Sequence, residues 1–93
     1  SLQQRVSIAN TAKVDLYVSI HFDCYNREAY GTGTFAISSD GKKYAQSVVN
    51  EIAKLGFYNR GVKDGSGFYV VRNTTMPAIL IECCFCDNER DMG

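Results

Sequence analysis

Apolar and polar positions along the chain fall into blocks of contrasting period. Over residues 14–23, Leu16, Val18 and Ile20 alternate with Tyr17, Ser19 and His21, the period of a strand. Ahead of it, Leu2, Val6 and Ala9 recur at helical spacing with Gln and Arg between them. They predict a helix over residues 2–11 that starts without a cap. Residues 24–30 read as a polar loop. Gly31-Thr-Gly-Thr34 marks a turn able to approach another backbone closely, and residues 34–38 form a second short strand. Ser39 or Asp40 can cap the helix that follows. Its broad apolar face comprises Tyr44, Ala45, Val48, Val49, Ile52, Ala53 and Leu55, and Gly56 suits the position just past its end. Residues 59–67 hold three glycines and mixed charge, and read as a loop. Residues 68–72 read as a short strand and residues 73–77 as a turn, with Met76 pushed towards extended geometry by Pro77. Ala78-Ile-Leu-Ile81 is continuously apolar, as a strand covered on both faces would be, and it runs straight into Glu82. Asp87-Asn-Glu-Arg-Asp91 is acid-rich, as the first turn of a closing helix prefers.

Helix, strand, strand, helix, strand, strand and helix start, in that order, predict an α/β layer structure. The first residue already lies at the start of an amphipathic helix and the closing helix stops after one turn. Both ends therefore look cut, and the sheet is expected to lack at least one strand. With 93 residues the chain makes one small domain. A hydrophobic content of 45% with 22% charged residues is that of a folded protein rather than a disordered one. Ten basic and ten acidic residues cancel. Nucleic acid and anionic membrane surfaces, which call for a basic excess, are therefore disfavoured as partners. No apolar run approaches a transmembrane span, and no signal peptide opens the chain.

Glu82 is the clearest chemical signal. A carboxylate at the exit of a buried strand is partly desolvated, which raises its pKa and suits it to proton transfer near neutral pH. Its structural alternatives are to cap the next helix or to pair with Arg60 or Arg72. His21, the only histidine, ends the first strand, where ligands of open α/β sheets gather, although a histidine there is equally an ordinary structural residue. Two strand ends can lie on one sheet edge. An imidazole holding zinc beside a carboxylate is a familiar hydrolytic arrangement, but a catalytic zinc takes about three protein ligands and this chain has one histidine. Arg60 is a candidate for binding an anionic substrate group, since guanidinium matches carboxylate geometry. Cys24 stands alone while Cys83, Cys84 and Cys86 crowd together. Because adjacent cysteines rarely meet disulfide geometry, reduced thiols in a reducing compartment are expected. The Cys83-x-x-Cys86 spacing leaves open a redox dithiol or a thiolate metal site, against small buried hydrophobes as the plain reading.

Several stretches in fixed order resemble a known family. Arg5-Val-Ser-Ile-Ala-Asn10, Val14-Asp-Leu-Tyr-Val-Ser-Ile-His21 and Gly31-Thr-Gly-Thr34 come first. Asn59-Arg-Gly-Val-Lys63, Met76-Pro-Ala-Ile-Leu-Ile-Glu82 and Phe85-Cys-Asp-Asn88 continue it. Together they resemble the zinc-dependent N-acetylmuramoyl-L-alanine amidases of the Amidase_3 type, and the Phe-Cys-Asp-Asn variant looks like clostridial cell-wall amidases and the endolysins of their phages. The resemblance implies a mixed, mostly parallel sheet flanked by helices, with residues 1–93 as the C-terminal portion of one amidase catalytic domain. It implies that His21 is a zinc ligand and Glu82 the glutamate that assists catalysis. The substrate implied is peptidoglycan, cut between N-acetylmuramic acid and L-alanine at the bacterial cell wall. Such a protein is made in the cytoplasm and secreted or released on lysis, and a cell-wall-binding domain elsewhere in it is a possible companion. The family's first histidine ligand, its glutamate ligand and its closing helix have no counterpart here, and Asp23 stands where members usually have Asn. Two other readings stay open: a non-catalytic cell-wall-binding remnant of the fold, and a thiol-redox module on Cys83 and Cys86.

Overall fold

The computed structural model describes residues 1–23 and 29–92. The elements run α1 (Leu2–Ala12), β1 (Tyr17–Asp23), β2 (Thr32–Ala36), α2 (Ser39–Ala53), β3 (Asn59–Asp64), α3 (Tyr69–Arg72), β4 (Ala78–Phe85) and α4 (Glu89–Met92). The four strands form one sheet in the order β1-β4-β2-β3. β1 pairs with β4 in parallel, β2 with β3 in parallel, and β2 with β4 antiparallel, so the sheet is mixed and mostly parallel.

The continuous apolar run of β4 is explained by its central place. Helices cover both faces of it. On one face Ile79 and Ile81 pack with Ala36 and Ala45, joined by Val48, Ile52, Val62 and Cys83, which seats α2. On the other, Ala78 and Leu80 pack with Val6, Val70 and Val71, joined by Tyr17, Phe35 and Phe68, which seats α1 and α3. Residues in register across a sheet share a face. Tyr17, Ser19 and His21, opposite Ala78, Leu80 and Glu82, therefore lie on the α1/α3 face. The alternation along β1 holds, but with the apolar side outward: Val18, Ile20 and Phe22 are exposed. They share the α2 face, whose helix lies over β2, β3 and β4.

Several expectations are corrected. Helix α1 does have a cap: the Gln4 N–H donates to Ser1 Oγ, and the N-terminal ammonium donates back to Gln4 Oε1. Helix α2 is capped one residue earlier than expected, by Ser38 Oγ accepting from the Gly41 N–H. Residues 59–64 are a strand rather than a loop. No side-chain alternation announces β3, because it is an edge strand with a bulge opposite Thr32–Thr34 and with Gly61 at φ +78°. Residues 68–72 hold a one-turn helix instead of a strand. The N–H groups of Arg72 and Asn73 donate to the carbonyls of Phe68 and Tyr69, closing the turn. Burial of adjacent Val70 and Val71 against the sheet outweighs their strand preference. Finally, β4 continues through Glu82 to Phe85, so that carboxylate stands within the strand.

Candidate functional site

The site is a row of residues crossing the sheet. His21 on β1 is in register with Glu82 on β4, and Glu82 is in register with Gly33 on β2. Beyond Gly33 lies the β3 bulge that carries Arg60. Parallel pairing of β1 with β4 is what puts the histidine and the carboxylate side by side on one face. A one-residue slip in either strand would send them to opposite faces. The juxtaposition is a property of the β1–β4 register, in which Tyr17, Ser19 and His21 pair with Ala78, Leu80 and Glu82.

Glu82 is buried, with its side chain 11% exposed, and Arg60 Nη1 donates to its Oε1 at 3.0 Å. The guanidinium also lies 5.0 Å from the Phe85 ring centroid, within cation–π range. Of the structural alternatives open to Glu82, pairing with Arg60 is the one realised. Arg72 instead donates to the Ser66 carbonyl. Arg60 therefore meets a carboxylate of its own chain, whatever further anion it binds. His21 is exposed. Its Nε2 lies 3.0 Å from Ser19 Oγ two residues earlier on the same face, which orients the ring. The side chain of Asp23, the departure expected to matter near a metal, lies outside the described residues, as does Cys24.

Around this row the close backbone approach expected at Gly31 is realised, and a buried carboxylate that was not expected holds it in place. Gly31 has φ +103°, and a Cβ there would meet the Tyr58 carbonyl oxygen at 2.6 Å and Arg60 Cγ at 3.0 Å. Its N–H donates to both carboxylate oxygens of Asp91, at 3.0 and 2.9 Å, and the Phe85 N–H donates to Asp91 Oδ2 at 2.7 Å. Buried Asp91 in α4 thereby ties the start of β2 to the end of β4. The same helix sets the Arg90 guanidinium 4.4 Å from the Tyr30 ring centroid. The signal available in the sequence was an acidic residue inside an otherwise surface-like turn.

The cysteines depart from expectation. Cys86 is disulfide-bonded, whereas Cys83 and Cys84 are free thiols. Reduced thiols throughout is thus overturned at Cys86. The crowding argument holds for the adjacent pair Cys83 and Cys84, but Cys86 lies beyond β4, exposed and not bound by the strand's geometry. Cys83 and Cys86 do not form a pair with each other. Burial raises the Cys83 thiol pKa, and burial, then Asp91 and Cys83, raise that of Cys84. Thiols kept protonated are poor nucleophiles, so the geometry is that of packed side chains rather than of a redox centre.

Towards a metal, the described residues offer one imidazole. No group of three or more His, Cys, Asp or Glu among them could hold an ion, and a catalytic zinc takes three protein ligands. These residues alone do not make a zinc site. A cavity of about 370 Å³ lies elsewhere, at the opposite end of β4, lined by Ile37, Asp40, Arg72, Met76 and Pro77 among others, and it includes none of His21, Arg60 or Glu82. No helix among the described residues is long and apolar enough to cross a membrane.

Comparison with known proteins places this geometry. The profile of the N-acetylmuramoyl-L-alanine amidase family matches residues 1–93. An uncharacterized cell wall amidase of Bacillus anthracis is 38% identical over 98% of the chain, which covers 19% of that protein. N-acetylmuramoyl-L-alanine amidase LytC of Bacillus subtilis is 35% identical, again over 98% of the chain and 19% of the relative. Among solved structures, the catalytic domain of the CD27L endolysin targeting Clostridia difficile superposes with a TM-score of 0.90. It is 27% identical, over 98% of this chain and 50% of that one. The chain thus spans about a fifth of these two relatives and half of the solved catalytic domain. It belongs to the N-acetylmuramoyl-L-alanine amidase family.

Proposed function

We propose that this member of the amidase family acts in peptidoglycan hydrolysis at the bacterial cell wall, cleaving the amide between N-acetylmuramic acid and L-alanine. In this reading Glu82 carries the proton and His21 is one ligand of a zinc ion. The observation that supports it is the register of β1 against β4, which sets the only imidazole beside a buried carboxylate on one sheet face. Ser19 Oγ, 3.0 Å from Nε2, steadies the ring that would be the metal's donor. What a bound zinc supplies in such chemistry is Lewis acidity. The chain's own part is proton handling. A carboxylate held on a strand accepts a proton as water attacks the amide carbonyl and delivers it to the departing L-alanine amine, which would otherwise leave as an unstable anion. Residues 1–93 are then the C-terminal portion of one catalytic domain. The remaining zinc donors lie in this reading outside residues 1–93, so these residues by themselves bind zinc weakly and hydrolyse wall poorly, and the full chain in the tests below is the whole protein that contains them.

The alternative, a cell-wall-binding remnant without catalysis, is separated by one experiment. The full chain with zinc is incubated with purified peptidoglycan and the new chain ends are identified by mass spectrometry. Release of stem peptides with free amino-terminal L-alanine is expected. Binding to the wall with no new L-alanine amino terminus would sink the amidase reading in favour of the remnant.

A further inference from the structure

Arg60 stands on β3, two strands away from Glu82, and β2 lies between them. A side chain on the intervening strand at that row would block the path. Position 33, in register with Glu82, is glycine; a Cβ built there would already be in ordinary van der Waals contact with Arg60 Cβ at 3.5 Å, so a side chain longer than alanine's would crowd the arginine stem. Position 31 is glycine as well, and its Cβ would press on Arg60 Cγ at 3.0 Å. The β3 bulge lies at this row, with the register slipping between Thr32 and Thr34 and Gly61 at φ +78°. Bulges re-aim a side chain that a regular ladder would place otherwise. Phe85, from the same strand as Glu82, lies 5.0 Å from the guanidinium carbon. Two bare positions, a bulge and a ring thus converge on one outcome, a guanidinium laid across the sheet onto Glu82 Oε1 at 3.0 Å.

We propose that Arg60 is a positioning residue for Glu82, and that the bare Gly33 and the β3 bulge leave it room to reach that carboxylate. The proposal rests on the reading of Glu82 as the proton carrier. A flexible glutamate side chain spreads over several rotamers, and a displacement of 1 Å at a reacting group costs on the order of 100-fold. Tying Oε1 to a guanidinium that is itself held by a ring restricts that spread. This role differs from anion binding in what it changes: a residue that binds the substrate equally in ground and transition states alters KM, whereas one that aligns the proton carrier alters kcat.

The test compares Arg60→Met and Arg60→Lys with the parent, as zinc-loaded full chain, on a soluble muramoyl-peptide, with rates normalised to folded protein. Arg60→Met is expected to lower kcat by about 10–100-fold with KM within about 3-fold, and Arg60→Lys, which keeps the charge, to recover much of it. An unchanged kcat, or a raised KM with kcat intact, overturns the proposal, the latter in favour of substrate binding. A crystal structure of Arg60→Met gives a readout that needs no activity. Glu82 is expected to leave its present rotamer or to become multiply oriented, and an unmoved, singly ordered Glu82 overturns the positioning role. Absence of activity in the parent chain would instead count against the amidase reading, with the crystallographic outcome still deciding Arg60.

Discussion

Glu82→Gln in the zinc-loaded full chain is expected to lower turnover of the muramoyl–L-alanine amide by about 10²–10⁴-fold, the range over which a positioned proton carrier acts. Glutamine suits this test because it keeps an oxygen acceptor for the Arg60 guanidinium, and so leaves the β4 core and the Arg60 contact in place. It removes only the capacity to take and give a proton. Wall binding, measured by co-sedimentation with purified peptidoglycan, and the thermal midpoint are expected to stay near the parent's. A variant that retains more than about a tenth of the parent turnover would show that Glu82 is a structural partner of Arg60 and nothing more. The cell-wall-binding remnant predicts that indifference, since a binding surface has no use for a proton.

The second large effect is on the metal. His21→Ala in the full chain is expected to weaken zinc affinity by more than about 100-fold, since loss of a group that merely supports a ligand already costs about 10–100-fold. Competition against a chromogenic chelator and elemental analysis of the dialysed protein read this out without reference to activity. His21 is exposed on an edge strand, so its removal leaves both core clusters untouched, and the fold serves as an internal control. Zinc content equal to the parent's would make His21 an ordinary strand residue held by Ser19, with the metal bound elsewhere.

What was legible in the sequence is what depends on local pattern. Ala78-Ile-Leu-Ile81 announced a strand buried on both faces, and β4 is that strand. Val48, Val49 and Ile52 with Ala45 announced the face of α2. The strand holding His21 was visible from alternation alone, and with β4 it set the candidate pair. What was not legible depends on distance in sequence. Arg60 lies 22 residues before Glu82, and their meeting requires the strand order, the bulge and the bare Gly33 at once, none of which shows as a period. Residues 59–64 carry no alternation, because both faces of an edge strand here are partly open. Val70 and Val71 favour a strand by side-chain type, yet one turn of helix buries both. The Cys86 disulfide was hidden because cysteine spacing limits only neighbours such as Cys83 and Cys84, leaving partners distant in sequence unconstrained.

His21 and Glu82, set side by side by the β1–β4 register, are expected to work as one centre. The double variant His21→Ala/Glu82→Gln tests it against the two single variants, by kcat/KM on the same soluble muramoyl-peptide. Groups that act as a unit are strongly non-additive. The double variant is expected to be no slower, within about 3-fold, than the slower of the two singles. Losses that multiply, the double falling by the product of the single effects, would contradict it and make the histidine and the carboxylate independent contributors that only share a sheet.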